Sequence, residues 1–387
     1  MTNVDPQSAR QIASRLASRR SFLRLAGLGV AGVGLAACSS GTTTATSTSA
    51  AAEGSSAAGS AAAAGAAGST AIAPGSNGNI SLQLSWIKNI EFGGEYFADS
   101  KGYYTQGGFT AVDLVTGPVD SADALVAAGN VTVGISAPDA TARFISEQGA
   151  PLKVIASTFQ KNPFFILSLE QGKPIRTVAD LAGKTIGIQA GTNQAIFAGF
   201  CKANNVDVGT FKTQVVQFEP SPLTEKKVDG FMAYTTNEPF LVKADGFTPV
   251  VLAFADNGLP LTAETFCVLS SALESDRDKL KAFLKAEVEG WNDAVADPEG
   301  GAKLVVDTYG KGLKLELAGQ IEQLEAQNEL VVTADTKKNG LFTLTDELIA
   351  EIISAIGSVG VTIAAEELFD LSLIKEIFAE NPDLIKA

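Results

Sequence analysis

The sequence has 387 residues, of which 45% are hydrophobic, and its formal net charge is −14. Such an acidic chain is a poor binder of nucleic acid and of anionic lipid headgroups, so we predict no nucleic-acid partner. The chain contains no His, which excludes Ser-His and Cys-His nucleophiles and imidazole ligation of a metal, and we predict no catalytic residue, no metal and no cofactor.

Residues 1–37 are typical of an export signal. Arg19 and Arg20 form a twin-arginine pair, and an uncharged run of Leu, Ala, Gly and Val follows them. This run is too short to span a bilayer but suits the apolar region of a signal peptide. The arginine pair favours the Tat route, while the Sec route stays open. The sequence LAAC that ends the run resembles the lipobox of bacterial lipoproteins, which predicts lipidation of Cys38 as the first residue of the mature chain.

Residues 38–79 consist almost wholly of Ser, Thr, Ala and Gly, and Glu53 is their one charged residue. Such a segment buries too little apolar surface to offset the entropy of ordering it, so we predict a flexible tether. No later run is long and apolar enough to span a membrane. The predicted location is therefore outside the cytoplasm, with the chain anchored by lipid at Cys38 to the outer face of the cell membrane.

Strands and helices alternate from Ile80 onward. This cadence predicts an α/β fold of two lobes, each a mostly parallel sheet flanked by helices. Lobe 1 is predicted as 80–175 plus 263–387, with a helical C-terminal tail, and lobe 2 as 176–262. Two hinge crossings are expected, near residues 172–184 and 256–265. The predicted strands are 80–86, 112–115, 131–136, 152–157, 165–170, 185–189, 214–218, 228–233, 250–254 and 266–270.

Two lobes joined by two crossings are suited to closing on a small-molecule solute, and we expect a monomer. In open α/β sheets, ligands bind beyond the carboxyl ends of the strands, so the loops there supply the candidates. Trp86 offers a flat face for a ring, and the Gly93-Gly94 pair indicates a close approach in the next helix. The candidate ligand-binding residues are Trp86, Asn89, Glu91, Ser136, Asp139, Phe159, Thr192, Asn193, Tyr234, Asn237 and Glu238.

Each candidate also has an ordinary structural interpretation. Trp86 could belong to the core, and Asn237 could serve only as a helix cap before Pro239. Cys201 and Cys267 each stand among apolar residues, which favours two buried thiols over a disulfide without excluding the bond.

Several stretches together resemble the thiamine-precursor (NMT/THI-like) solute-binding proteins of ABC importers. They are "LQLSWIKNIEFGGEYFADSKGYYTQGGF", "GNVTVGISAPDATARFISEQGAPLKVIAS", "TVADLAGKTIGIQAGTN" and "KKVDGFMAYTTNEP". The resemblance implies a periplasmic-binding-protein type II fold, a membrane permease with its ATPase as partner, and Trp86, Asn89, Tyr234 and Glu238 as cleft residues. It does not fix the ligand, since members bind thiamine pyrimidine precursors, riboflavin-like compounds, sulfonates, taurine or nitrate.

The residue types in the candidate loops favour one ligand class. Aromatic rings and carboxylates predominate, and Lys88 is the one cation among them, whereas a sulfonate or nitrate site needs buried cationic donors. We therefore predict a small nitrogen heterocycle similar to a thiamine pyrimidine precursor. The alternatives are a sulfonate, taurine or nitrate in the same fold, an enzyme similar to the pyrimidine synthases, which the absence of His disfavours, and a purely structural lipoprotein.

Overall fold

The computed structural model describes residues 72–190 and 192–386. The predicted signal peptide, Cys38 and most of the predicted tether lie outside the described residues. The last part of the predicted tether is ordered, which corrects its end at residue 79. Asn77 donates a backbone hydrogen bond to the Gly108 carbonyl (2.9 Å), and its side-chain amide donates to the Gly107 carbonyl (2.7 Å). These bonds tie the chain to the edge of the first sheet just before the first strand.

The described residues form ten strands in two five-stranded sheets. In chain order the strands are β1 (Gly78–Gln83), β2 (Phe109–Val115), β3 (Val133–Ser136), β4 (Leu152–Ser157), β5 (Phe164–Leu169), β6 (Thr185–Gln189), β7 (Lys212–Val216), β8 (Gly230–Tyr234), β9 (Pro249–Ala253) and β10 (Thr265–Leu269).

The two sheets follow the same plan. The first has the order β2-β1-β3-β10-β4 and the second the order β7-β6-β8-β5-β9. In the first sheet β1 is parallel to β2 and β3, and β10 is antiparallel to β3 and β4. In the second, β6 is parallel to β7 and β8, and β5 is antiparallel to β8 and β9. In each sheet the antiparallel strand is the first strand after a crossing between the sheets, namely β5 in the second sheet and β10 in the first.

The first crossing differs from the prediction. The strand expected at 165–170 was assigned to lobe 1, but β5 pairs with β8 and β9 in the second sheet. The chain therefore crosses at residues 158–163, between β4 and β5, rather than near 172–184. The strand is apolar on both faces, as any central strand would be, so its residues do not indicate which sheet it joins. The return crossing lies between β9 and β10.

Helices cover both sheets, and α9 onward form the C-terminal tail. The α-helices of the described residues are α1 (Gly93–Ser100), α2 (Tyr103–Gln106), α3 (Ala122–Ala127), α4 (Pro138–Gln148), α5 (Thr192–Ala203), α6 (Ser221–Thr224), α7 (Glu238–Ala244), α8 (Ala272–Ser275), α9 (Arg277–Ala296), α10 (Pro298–Leu304), α11 (Leu317–Val331), α12 (Ala334–Asn339), α13 (Asp346–Ser358), α14 (Ala365–Leu368) and α15 (Ser372–Glu380).

The tail contacts both lobes. Most of its helices pack on lobe 1, but Val359 at the end of α13 touches each lobe. A Cβ on Gly199 of α5 would lie 2.4 Å from Val359 Cγ1, and the Val359 carbonyl accepts a hydrogen bond from Arg143 of α4 (3.4 Å). On another side, Lys243 of α7 forms an ion pair with Glu322 of α11 (2.5 Å). The tail therefore spans the boundary between the lobes.

Cys201 lies in α5 of lobe 2 and Cys267 in β10 of lobe 1, and both are free, buried thiols. The prediction of two unpaired cysteines is confirmed. Within residues 72–190 and 192–386, no helix has both the length and the apolar character that crossing a membrane requires.

Candidate functional site: an acidic cleft between the sheets

A cavity of about 190 Å³ lies where the loops of the two sheets meet. Its lining comes from the carboxyl ends of β1, β6, β7 and β8, as expected for an open α/β sheet. The antiparallel strand β10 adds a residue at its amino end, because that end lies at the same edge of the sheet. The lining residues are Ser85, Trp86, Glu91, Phe164, Gln189, Asn193, Phe218, Met232, Ala233, Tyr234, Thr236, Asn237, Glu238 and Glu264.

Aromatic rings from both lobes form one wall of the cavity. Trp86 follows β1 in lobe 1 and Phe218 follows β7 in lobe 2, and their ring centroids are 5.7 Å apart in an edge-to-face arrangement. Phe164 of β5 stands edge-to-face against Tyr234, at 5.1 Å. A planar ligand in the cavity would meet the indole of lobe 1 and the rings of lobe 2.

Two carboxyl groups meet at the base of the cavity. The Glu91 and Glu264 side chains are both buried, and each lies within hydrogen-bond distance of the Ser85 hydroxyl. The Ser85 hydroxyl donates to Glu264 Oε2 (2.9 Å) and lies 3.4 Å from Glu91 Oε1. The Tyr234 hydroxyl donates to Glu264 Oε1 (3.1 Å). The structure thus gathers two acids and two hydroxyls around one point.

Burial governs the protonation of this pair. Desolvation raises the pKa of Glu264 to about 7, and desolvation together with the neighbouring Glu264 charge raises the pKa of Glu91 well above its ordinary value. The Ser85 hydroxyl has a single proton and can satisfy only one acid at a time. The raised pKa values favour a proton on one of the two carboxyl groups, which would satisfy the oxygen that Ser85 leaves without a donor.

Glu264 is held in an unusual backbone conformation. Its φ is +52°, in the left-handed region that residues with a side chain seldom adopt. Its carbonyl accepts a hydrogen bond from the Thr158 amide (3.0 Å), which links the two crossings. Backbone strain of this kind concentrates at functional sites.

A third acid enters the cavity from lobe 2. Glu238 is the first residue of α7, and its Oε2 accepts a hydrogen bond from the Tyr234 amide (2.7 Å). The Asn237 side chain does not cap the helix but donates to Glu238 Oε1 (3.2 Å). Burial raises the pKa of Glu238 to about 7.

The remaining polar lining includes one hydroxyl without a partner. Thr236 is fully buried, and its Oγ1 has no hydrogen-bond partner in the structure. By contrast, Asn193 donates to Gln189 Oε1 (2.9 Å), and Gln189 donates to the Met232 carbonyl (3.0 Å). A buried, unpartnered hydroxyl in a cavity wall indicates a place where a ligand atom completes the hydrogen bonding.

The structure brings most of the predicted residues into the cavity wall. Those that line it are Trp86, Glu91, Asn193, Tyr234, Asn237 and Glu238. Asn89 is buried behind them, where its Oδ1 accepts a hydrogen bond from the Glu91 amide (3.2 Å) and caps the 3-10 turn Ile90–Phe92. Thr192 is the first residue of α5 and directly precedes Asn193. Lys88, the one cation expected in these loops, is not part of the wall.

Three predicted residues lie elsewhere. The Ser136 hydroxyl donates to Asp123 Oδ2 (2.6 Å), because α3 places that acid next to the loop after β3. Asp139 is buried in the first turn of α4, where desolvation raises its pKa to about 6. Phe159 is fully buried behind Tyr234, with ring centroids 6.4 Å apart. These side chains support the fold around the cleft and do not line it.

Sequence reasoning missed Glu264, the acid at the centre of the cluster. It lies just before a strand, whereas the predicted candidates lie in loops that follow strands. The rule fails here because β10 runs antiparallel to its neighbours, and an apolar run gives no sign of its direction. The other missed residues of the wall are Ser85, Phe164, Gln189, Phe218, Met232, Ala233 and Thr236.

The charge of the wall is one-sided. It carries three Glu side chains and, among the described residues that line it, no Lys or Arg. A site of this composition offers acceptors and carboxyl protons to a ligand, and it lacks the cationic donors that a sulfonate or nitrate needs.

Comparisons with known proteins agree with this architecture. A family model described as NMT1/THI5 like matches residues 89–300, more than half of the chain. The riboflavin-binding protein RibY of Chloroflexus aurantiacus is 25% identical over 224 residues, which are 57% of this chain and 63% of that protein, so the match spans less than two thirds of its length.

Two solved structures share the fold. The periplasmic aliphatic sulphonate binding protein SsuA of Escherichia coli superposes with a TM-score of 0.55 at 15% identity, covering 80% of this chain and 89% of that one. The periplasmic nitrate-binding protein NrtA of Synechocystis PCC 6803 gives 0.56 at 13% identity, covering 80% and 91%. The chain has the two-lobed periplasmic-binding-protein type II fold.

Proposed function

The chain belongs to the NMT1/THI5-like family, and on that basis we propose that it is the solute-binding protein of an ABC importer and captures a small, amine-bearing nitrogen heterocycle in its cleft. The observation that carries the proposal is the composition of the wall, in which aromatic rings of both lobes surround three acids and, among the described lining residues, no cation. An exocyclic amine and a ring N–H beside a carboxylate form charge-assisted hydrogen bonds, whereas an anion would face like charge.

The size of the cavity supports a single ring. At about 190 Å³ it is smaller than the roughly 300–1,000 Å³ typical of pockets for drug-sized ligands. A thiamine-type aminopyrimidine suits this volume. The similarity to a riboflavin-binding protein favours a flavin as the second candidate, and a flavin would require the lobes to open wider.

The proposal includes delivery to a membrane permease and anchoring by lipid at Cys38. It does not include catalysis. The chain has no His, which removes the usual general base and the imidazole-assisted nucleophiles.

A thermal-shift screen of the purified protein tests the function. Aminopyrimidines should raise the melting temperature in a concentration-dependent manner, because a ligand that binds only the folded state stabilises it. Riboflavin, taurine, an alkylsulfonate and nitrate complete the panel. A shift with taurine, sulfonate or nitrate and none with the heterocycles would contradict the ligand class.

Removing the indole of Trp86 tests whether the ligand binds in this cavity. Trp86→Ala should weaken the binding of an aminopyrimidine about tenfold or more, because it removes the ring face contributed by lobe 1. Val208→Ala, which shortens an exposed side chain outside the cavity wall, is the control and should bind as the wild type does. Unchanged affinity of Trp86→Ala, measured by calorimetry, would place the binding site elsewhere.

A further inference from the structure

The carboxyl pair at the base of the cavity has a consequence for the form in which a ligand binds. Glu91 and Glu264 are both buried, and they share the hydroxyl of Ser85, which carries one proton. Tyr234 supplies a second hydroxyl, but only to Glu264. With both acids ionised, two buried negative charges would repel each other across the hydroxyl that they share, which favours one proton kept between them in the ligand-free protein.

Among the described residues, the ionisable groups that interact with this pair offer no positive charge to replace that proton. They are Tyr234 from β8, Glu238 from α7, and Tyr96 and Glu95 from α1. All four are neutral or acidic, and they favour retention of the proton. A cation that enters the cavity is therefore the natural substitute, because it neutralises the second carboxylate directly.

Building on the function proposed above, we propose that the cleft binds its ligand as a monocation, and that this cation replaces the proton that Glu91 and Glu264 share in the ligand-free protein. The proton passes to the solvent, both carboxyl groups become carboxylates, and the net charge of the site is unchanged. Thr236 supports a ligand at this place independently of the acids, since its buried hydroxyl lacks a partner in the same cavity.

Benzamidine and benzamide form the matched probes. They have the same shape and are planar, but benzamidine is a cation at neutral pH and benzamide is not. Benzamidine should bind at least about tenfold more tightly than benzamide, because only the amidinium forms charge-assisted bonds with both carboxylates. Equal affinity for the two probes would overturn the proposal.

Proton release gives a second readout. Calorimetric titration of benzamidine at pH 6 in two buffers of different ionisation enthalpy should show release of about one proton, and its affinity should rise about tenfold per pH unit from pH 5 until it levels off above about pH 7. Binding without proton release and without this pH dependence would also overturn the proposal.

Variants locate the proton. Glu264→Gln should bind benzamidine weakly and release little or no proton, whereas Glu287→Gln, which removes a buried acid outside the cavity wall, should behave as the wild type does. Infrared spectra at pH 7 provide a test without any probe. The protonated-carboxyl band of the wild type should lose intensity in Glu264→Gln, and an unchanged band would contradict the shared proton.

The two proposals fail separately. If benzamidine binds with proton release but no aminopyrimidine raises the melting temperature, the proposed ligand class is contradicted and the exchange of a cation for the proton is supported. If aminopyrimidines bind but benzamidine does not, even at millimolar concentration, the exchange of a cation for the proton is contradicted and the proposed ligand class is supported.

Discussion

Glu264 combines a left-handed backbone with a buried carboxyl group, and each feature lowers stability by itself. A residue with a Cβ in this conformation costs roughly 1–2 kcal/mol. Desolvation further disfavours its ionised form. The residue that bears both of these unfavourable free energies is also the one that accepts hydrogen bonds from Ser85 and Tyr234 in the cavity. Such a combination is expected where a side chain is positioned for a ligand.

Glycine at position 264 separates these two contributions. Glu264→Gly should be more stable than Glu264→Ala by about 1 kcal/mol, because both lose the carboxyl group and only glycine relieves the left-handed backbone. Both variants should lose benzamidine binding. Denaturant titration measures the difference, and equal stability of the two variants would show that the backbone at this position is not strained.

At the scale of elements, two helices meet through glycines. A Cβ on Gly94 of α1 would lie 2.1 Å from Trp291 Cδ1 of α9, and a Cβ on Gly290 would lie 2.1 Å from the Gly94 carbonyl. The sequence indicated a close approach at Gly93-Gly94, and the structure shows that its partner at Gly94 is a helix. This crossing fixes α1, which directly follows the turn that carries Glu91.

Gly94→Ala should therefore destabilise the protein by about 1–3 kcal/mol or more, because the indole cannot move without disturbing the core. Gly93→Ala is the control. The nearest atom to a Cβ there is the Ile90 Cδ1 at 3.4 Å, and alanine favours a helix, so its stability should match or slightly exceed the wild type. Similar melting temperatures for the two variants would show that the helices do not pack this closely.

Helix α11 holds the acid-bearing turn in place. The Gln327 amide donates to the Glu91 carbonyl (3.0 Å), and Gln320 Oε1 accepts from the Ile90 amide (2.9 Å). The same helix forms an ion pair with Lys243 of lobe 2. The tail thus positions a residue of the cleft and contacts the opposite lobe.

Gln327→Ala should weaken benzamidine binding several-fold and lower the free energy of unfolding by about 1–3 kcal/mol, because the buried Glu91 carbonyl loses its donor. Asn328→Ala is the control on the same helix. Its side chain donates to the Val295 carbonyl (3.4 Å) and not to the turn, so benzamidine affinity should stay unchanged. Equal binding by the two variants would contradict a positioning role for Gln327.

At the scale of the whole molecule, several buried acids share one direction of pKa change. Burial raises the pKa of Glu238 from 4.5 to about 7, and that of Glu287 to about 8. The folded protein then holds protons that the unfolded chain has already lost above pH 4.5. Stability from these groups is fully present below about pH 4.5 and is lost as the pH rises through 7 to 8.

We therefore expect the free energy of unfolding of the ligand-free protein to fall between pH 5 and pH 8, by up to about 3 kcal/mol for Glu238 alone. Glu238→Gln should flatten part of this dependence. Urea titrations at a series of pH values measure it. A free energy of unfolding that rises across this interval would show that these acids are ionised in the folded protein.

The sequence predicts the two-lobed fold because strand and helix periods alternate along it, and because loops after parallel strands fall at one edge. Trp86, Glu91, Tyr234 and Glu238 follow from that rule. The lobe to which β5 belongs and the place of Glu264 do not follow, because central strands are apolar on both faces whichever sheet they join and whichever way they run.

The fluorescence of Trp86 itself reports directly on whether the cleft binds a nitrogen heterocycle. In Trp291→Phe, Trp86 is the sole tryptophan, since the chain has two. Titration with an amine-bearing pyrimidine should change its emission to saturation at one equivalent per chain, while taurine and nitrate leave it unchanged. Saturation by taurine or nitrate, with no response to any nitrogen heterocycle, would contradict an acidic, aromatic cleft built for a cationic ring.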